Sequence, residues 1–147
     1  MRIVLVIALL LSLGSPSAYA AQRRGVEKKF QLVRKIYVGD MGSVDEAERF
    51  RFLLEEQLSK KGFTVVERAE DADAILSGAL SVRVFDDKSE ARVYVKLESP
   101  GGERLWARDF GNRLLRNPFN RKEPAKLRAE DVANGLRSDW KKASQDR

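Results

Sequence analysis

The stretch from Lys35 to Val66, KIYVGDMGSVDEAERFRFLLEEQLSKKGFTVV, constrains the fold more than any other, because it spells strand, helix and strand with their punctuation in place. Ser43 followed three residues later by Glu46 is a capping-box pattern for the helix start. Asp45 and Glu46 fall in the first turn and Lys60 and Lys61 in the last, each at the end that the helix dipole favours. Ala47, Phe50, Leu54, Gln57 and Leu58, flanked by Leu53, recur at helical spacing and form one apolar stripe that needs a sheet to lie on. Gly62 suits the left-handed position that ends the helix. Strand, helix and strand in this order imply parallel strands joined by a right-handed crossover.

Ahead of this unit, Arg2 precedes an apolar run from Ile3 to Leu11, then Gly14, Pro16 and the small-x-small end Ala18-Tyr19-Ala20. That is the pattern of a secretory signal peptide over residues 1–20, with cleavage between Ala20 and Ala21. The run is shorter than the ~20 apolar residues that a membrane span needs. Residues 21–34 read as a basic, mobile lead-in, residues 35–143 as a single α/β domain and residues 144–147 as a polar tail. The chain has no cysteine, so an exported fold must be held by its core alone, and no lipid can be attached through a cysteine thiol.

Phe30 to Val38 alternates and gives the first strand, with Leu32, Ile36 and Val38 on one face. A short strand follows the helix from Phe63 to Glu67. Ala74 to Phe85, the strict alternation Ala91, Val93, Val95, Leu97, and Glu103 to Phe110 are three more strands joined by short turns, and therefore an antiparallel meander. The intervening turns are Asp86-Asp87-Lys88-Ser89 and Ser99-Pro100-Gly101-Gly102. After a basic passage from Gly111 to Lys122, Pro124 opens a last helix with Ala129, Val132, Ala133, Leu136, Trp140 and Ala143 on one face; Gly135 weakens it by ~1 kcal/mol relative to Ala. The fold class is thus α/β (α+β): a single mixed sheet of about five strands, in the order β-α-β-β-β-β-α, with the helices packed on one face and the other face open.

Alternation then assigns the open face. The apolar set of the fourth strand must meet the helices, so Arg92, Tyr94 and Lys96 point outward. In the fifth strand Arg104, Trp106, Arg108 and Phe110 alternate against Leu105, Ala107 and Asp109, and two buried arginines would cost more than an outward tryptophan, so Trp106 goes outward as well. Tyr37 and Arg83 fall on the same side. The expected partner-binding face is Tyr37, Arg83, Arg92, Tyr94, Lys96, Arg104, Trp106 and Arg108, an aromatic and arginine-rich surface of the kind enriched at interfaces. Competing readings are that the basic stems simply cover the rings, or that a flank folds over them.

Chemistry is narrowly bounded. The chain has no histidine and no cysteine, which removes thiol nucleophiles, imidazole bases and the common transition-metal ligands. Gly39-Asp40-Met41-Gly42-Ser43 lies before a helix start but lacks the P-loop lysine, and its acids would repel phosphate, so it reads as a tight loop. The acidic clusters Glu67, Glu70, Asp71, Asp73 and Asp86, Asp87, Glu90 lack calcium-loop spacing. No catalytic residue, cofactor or metal site is expected. The formal charge of +6 is uneven: both flanks of the mature chain are basic and the segment from Asp40 to Asn112 is acidic.

Gly62-Phe63-Thr64-Val65-Val66, Ala72-Asp73-Ala74-Ile75-Leu76-Ser77-Gly78 and Gly102-Glu103-Arg104-Leu105-Trp106, in that order before a closing helix, resemble motifs of the periplasmic domains typified by the CsgG curli-secretion protein and the N-terminal domain of TolB. The resemblance spans about Lys35 to Trp140 and implies a non-enzymatic module that holds partner proteins in the bacterial envelope. It implies no catalytic residue. Without a lipobox cysteine or a second domain, it implies neither a lipid anchor, a pore nor a propeller. The expected function is therefore a periplasmic or secreted binding or assembly-accessory domain with an envelope protein as partner. The alternative is a binder of anionic polymer or nucleic acid through a basic, aromatic sheet face.

Overall fold

The computed structural model describes residues 16–85, 89–115 and 124–145. Helix α1 (Pro16–Leu32) leads into strand β1 (Lys35–Val38), helix α2 (Glu46–Lys60) and strand β2 (Thr64–Val65). A 3-10 turn at Ala69–Asp71 then precedes β3 (Ala74–Val84), β4 (Ser89–Glu98), β5 (Arg104–Leu115) and α3 (Pro124–Gln145). The five strands form one sheet in the order β2-β1-β3-β4-β5, parallel across β2-β1-β3 and antiparallel across β3-β4-β5. The expected mixed sheet and element order are present, preceded by one further helix.

The stripe of α2 is as the spacing predicts: Ala47, Phe50, Leu54, Gln57 and Leu58 are its buried residues. Its ends differ. The capping box does not form; α2 begins at Glu46, Asp45 makes no side-chain cap bond, and the first free amide, that of Ala47, donates to the carbonyl of Val44 through a backbone turn. At the other end Gly62 takes φ +88°, with the amide of Phe63 bonded to the carbonyl of Leu58 and that of Gly62 to Ser59. That is a Schellman closure, and it carries Phe63 back into the core beside Leu58.

Residues 21–34, expected as a mobile lead-in, belong mostly to α1. Val26, Phe30 and Val33 follow one another at spacings of four and three, and they pack into the core, which fixes the last two turns of the helix. Gln31 Nε2 donates to the carbonyl of Ala143 near the end of α3, and Lys29 pairs with Glu103. Leu32, placed by alternation on the inner face of the first strand, is 69% exposed, because the chain is still helical there and β1 begins only at Lys35. The expected cleavage point between Ala20 and Ala21 lies within α1, whereas residues 1–15 and the turn residues Asp86, Asp87 and Lys88 lie outside the described residues.

The core lies between the sheet and the helices. Ile36 and Val38 of β1, Leu76 and Leu80 of β3, and Val93, Val95 and Leu97 of β4 meet Phe50, Leu54 and Leu58 of α2 and Ala129, Val132, Ala133 and Leu136 of α3. The Gly39–Met41 loop continues along β3: Gly39 N–H donates to Leu76 O, while the carbonyls of Asp40 and Met41 accept from Gly78 and Leu80. Met41 is buried, so this loop is structural.

Candidate functional site

On the face away from the helices, cross-strand register assembles a flat mosaic. Ile75, Ser77, Ala79, Ser81 and Arg83 of β3 stand opposite Glu98, Lys96, Tyr94, Arg92 and Glu90 of β4. On the far side of β4, Arg104 faces Glu98, Ala107 faces Lys96 and Asp109 faces Tyr94. Tyr94 is 41% exposed at the centre. Its neighbours in register are Ala79 and Asp109, too short to cover a phenol ring, so the ring stands clear of the sheet.

The charges around it are largely matched. Arg92 makes a two-pronged contact with Asp109, with Nε 3.1 Å from Oδ1 and Nη2 bonded to Oδ2. That hydrogen bond holds the Asp109 carboxyl below its ordinary range and the Arg92 guanidinium above its own. Lys96 Nζ lies 2.9 Å from Glu98. Ser81, Arg83, Glu90 and Arg92 line a depression at one end of the face. Tyr37 of β1 is half-buried beside Ile75, its partner in register.

Six of the eight expected residues therefore share this face: Tyr37, Arg83, Arg92, Tyr94, Lys96 and Arg104. Trp106 and Arg108 do not. They pair with Leu97 and Val95, and Phe110, expected on the same face as they, pairs with Val93; all three partners have side chains in the core, so these residues lie on the helix-covered side. The cause is a bulge: Glu98 faces Arg104 but Leu97 faces Trp106, leaving Leu105 as an extra residue that shifts the alternation of β5 by one. Asp139 of α3 receives both side chains, Trp106 Nε1 at 2.9 Å and Arg108 Nη1 at 3.4 Å. The cost of burying arginine does not arise, because β5 is the edge strand and the Arg108 side chain stays 47% exposed at the rim of α3. Two apolar residues in succession, Leu105 and Trp106, were the sequence signal of this bulge.

Sequence reasoning also passed over Arg128. It is 5% exposed, with Nε 2.9 Å from the carbonyl of Ala91, Nη2 on the carbonyl of Gly111 and Nη1 3.0 Å from Asp131. Ala91 and Gly111 flank a second register shift between β4 and β5, so this side chain satisfies carbonyls that the shift leaves unpaired. The acidic residues near the second strand are structural too: Asp73 accepts the backbone amides of Arg34 and Lys35, and Asp71 pairs with Arg68. Among the described residues no three potential ligands stand close enough together to hold a metal ion, and no helix is long and apolar enough to cross a membrane.

No family model and no curated protein matches the chain. Among solved structures it is similar to a PelC dodecamer variant from Paraburkholderia phytofirmans, at 17% identity over 72% of this chain and 91% of that one, with a TM-score of 0.56. A minor lipoprotein from Acinetobacter baumannii shows 12% identity over 74% and 93%, with a TM-score of 0.49. TolB from the same organism shows 15% identity over 71% of this chain and 27% of its own length, with a TM-score of 0.42. At these identities, what the PelC likeness establishes for this chain is its α/β fold.

Proposed function

We propose that this chain is a non-enzymatic module of the bacterial envelope that holds a partner protein on the uncovered face of its sheet. The observation that carries this reading is the exposed Tyr94 at the centre of a flat face, ringed by Arg83, Arg92, Lys96 and Arg104 and by Glu90, Glu98 and Asp109. Tyrosine and arginine dominate contact energies at protein interfaces. Charges of both signs in alternation suit a protein surface of complementary pattern, whereas a polyanion would need unopposed cations and stacked rings, and Trp106 is not on this face. The motifs that resemble the CsgG and TolB domains, and the signal-peptide pattern of residues 1–20, agree with this reading. The PelC neighbour is a dodecamer, which makes another copy of the chain the second candidate for the partner.

The experiment is capture from envelope extract by the immobilised mature chain, at low and high salt, together with sedimentation of that chain alone. Tyr94→Ala should lower retention of the partner at least tenfold without moving the unfolding midpoint. Retention that survives Tyr94→Ala unchanged contradicts the reading. Binding that collapses in high salt with no dependence on Tyr94 points to a polyanion instead.

A further inference from the structure

The ends of all three helices meet at one pole, away from the uncovered sheet face. Arg34 follows α1, Gly62 closes α2, and Arg137 and Trp140 stand in the last turns of α3. The guanidinium carbon of Arg34 is 4.3 Å from the centre of the Trp140 ring, and that of Arg137 is 4.6 Å from it. Arg137 also lies 5.6 Å from the ring of Phe63, which meets Trp140 edge-on at 6.1 Å. Two like charges are thus held on one indole, and among the described residues no carboxylate forms an ion pair with either.

The nearby acceptors already have other donors, although Asp73 and Asp139 keep their charges. The last carbonyls of α2 accept the amides of Lys61, Gly62 and Phe63. Asp73 is held by the backbone amides of Arg34 and Lys35, and Asp139 by Trp106 and Arg108. Arg34 uses only Nη1, which donates to the carbonyls of Gln31 and Val33. Each guanidinium carries five N–H donors, so most of those on Arg34, and those on Arg137, have no acceptor among the described residues. Stacking on the ring removes much of the rotamer freedom that binding would otherwise have to restrict.

We propose that Arg34 and Arg137, oriented on Trp140, form a binding site for a phosphate group. A phosphate offers several oxygens to two forked donors and a charge that matches two guanidiniums. Lys61 and Lys141, next in sequence to Gly62 and Trp140, make no ion pair among the described residues. The group can come from free phosphate or from the headgroup of an anionic phospholipid. The site shares no residue with the uncovered sheet face, so its fate does not depend on the function proposed above.

Trp140 itself reports on the site. In the mature chain carrying Trp106→Phe, inorganic phosphate at constant ionic strength should change the remaining tryptophan fluorescence saturably, or vesicles of phosphatidylglycerol should do so where vesicles of phosphatidylcholine do not. Calorimetry on the chain without that substitution reads the same binding. Arg34→Gln and Arg137→Gln should each weaken it at least tenfold with far-UV circular dichroism unchanged. Saturation by free phosphate identifies a soluble ligand, and a response to anionic vesicles alone identifies a lipid headgroup; both support the site. No saturable response to either probe, or a response equal in both arginine variants to that of the parent, overturns it.

Discussion

Gly135 sits where α3 crosses β5, and a Cβ placed there would stand 2.9 Å from Cζ of Phe110 and 3.2 Å from Nη1 of Arg108. Its role is close approach, which a reading of helix propensity alone takes for a weakness. Gly135→Ala gains ~1 kcal/mol of propensity but must displace the Phe110 ring, at a cost of roughly 1–3 kcal/mol. Net destabilisation in a denaturant titration is expected, and in a Phe110→Leu background the same substitution should become neutral or stabilising. At the other side of the sheet, Asp109 is held ionised by its hydrogen bond to Arg92. A carboxyl depressed in the folded state contributes stability above its ordinary value and loses it as the pH falls through that value towards the folded one. The difference in unfolding temperature between Asp109→Asn and the parent should therefore be full above about pH 4 and shrink as the pH falls further below it.

At the scale of elements, α1 and β5 show where sequence periodicity stops being sufficient. The spacing of Val26, Phe30 and Val33 was helical, but Gly25 and the dense positive charge of this segment suggested a mobile tail, and tertiary packing on α3 and β5 decides otherwise. If α1 is integral, Phe30→Ala should cost about 3 kcal/mol, as for a buried phenylalanine; a mobile lead-in would lose almost nothing. Chemical denaturation of the mature chain separates the two. For α2 and β4 the strict periods were legible, because each buries one side without interruption. In β5 a single extra residue reversed the faces of Trp106 and Arg108, an error that no pairwise argument about polarity could repair without knowing the register. The partner of both, Asp139, was equally invisible, since nothing in a helical stripe tells which flanking acid will meet Arg108, 31 residues earlier in the chain.

For the whole molecule, packing the described helices on one side of a five-stranded sheet leaves the other side uncovered among the described residues, and Tyr94 marks the centre of that side. The function proposed above requires that this surface, and not the helical side, meets the partner. Site-specific photo-crosslinking in the producing bacterium tests it most directly, with a photoreactive side chain placed at Tyr94 or, as the helical counterpart, at the exposed Asn134 of α3. A discrete adduct is expected from position 94 and none from position 134. An adduct from position 134 alone, or none from position 94 in a chain that remains folded, would contradict it.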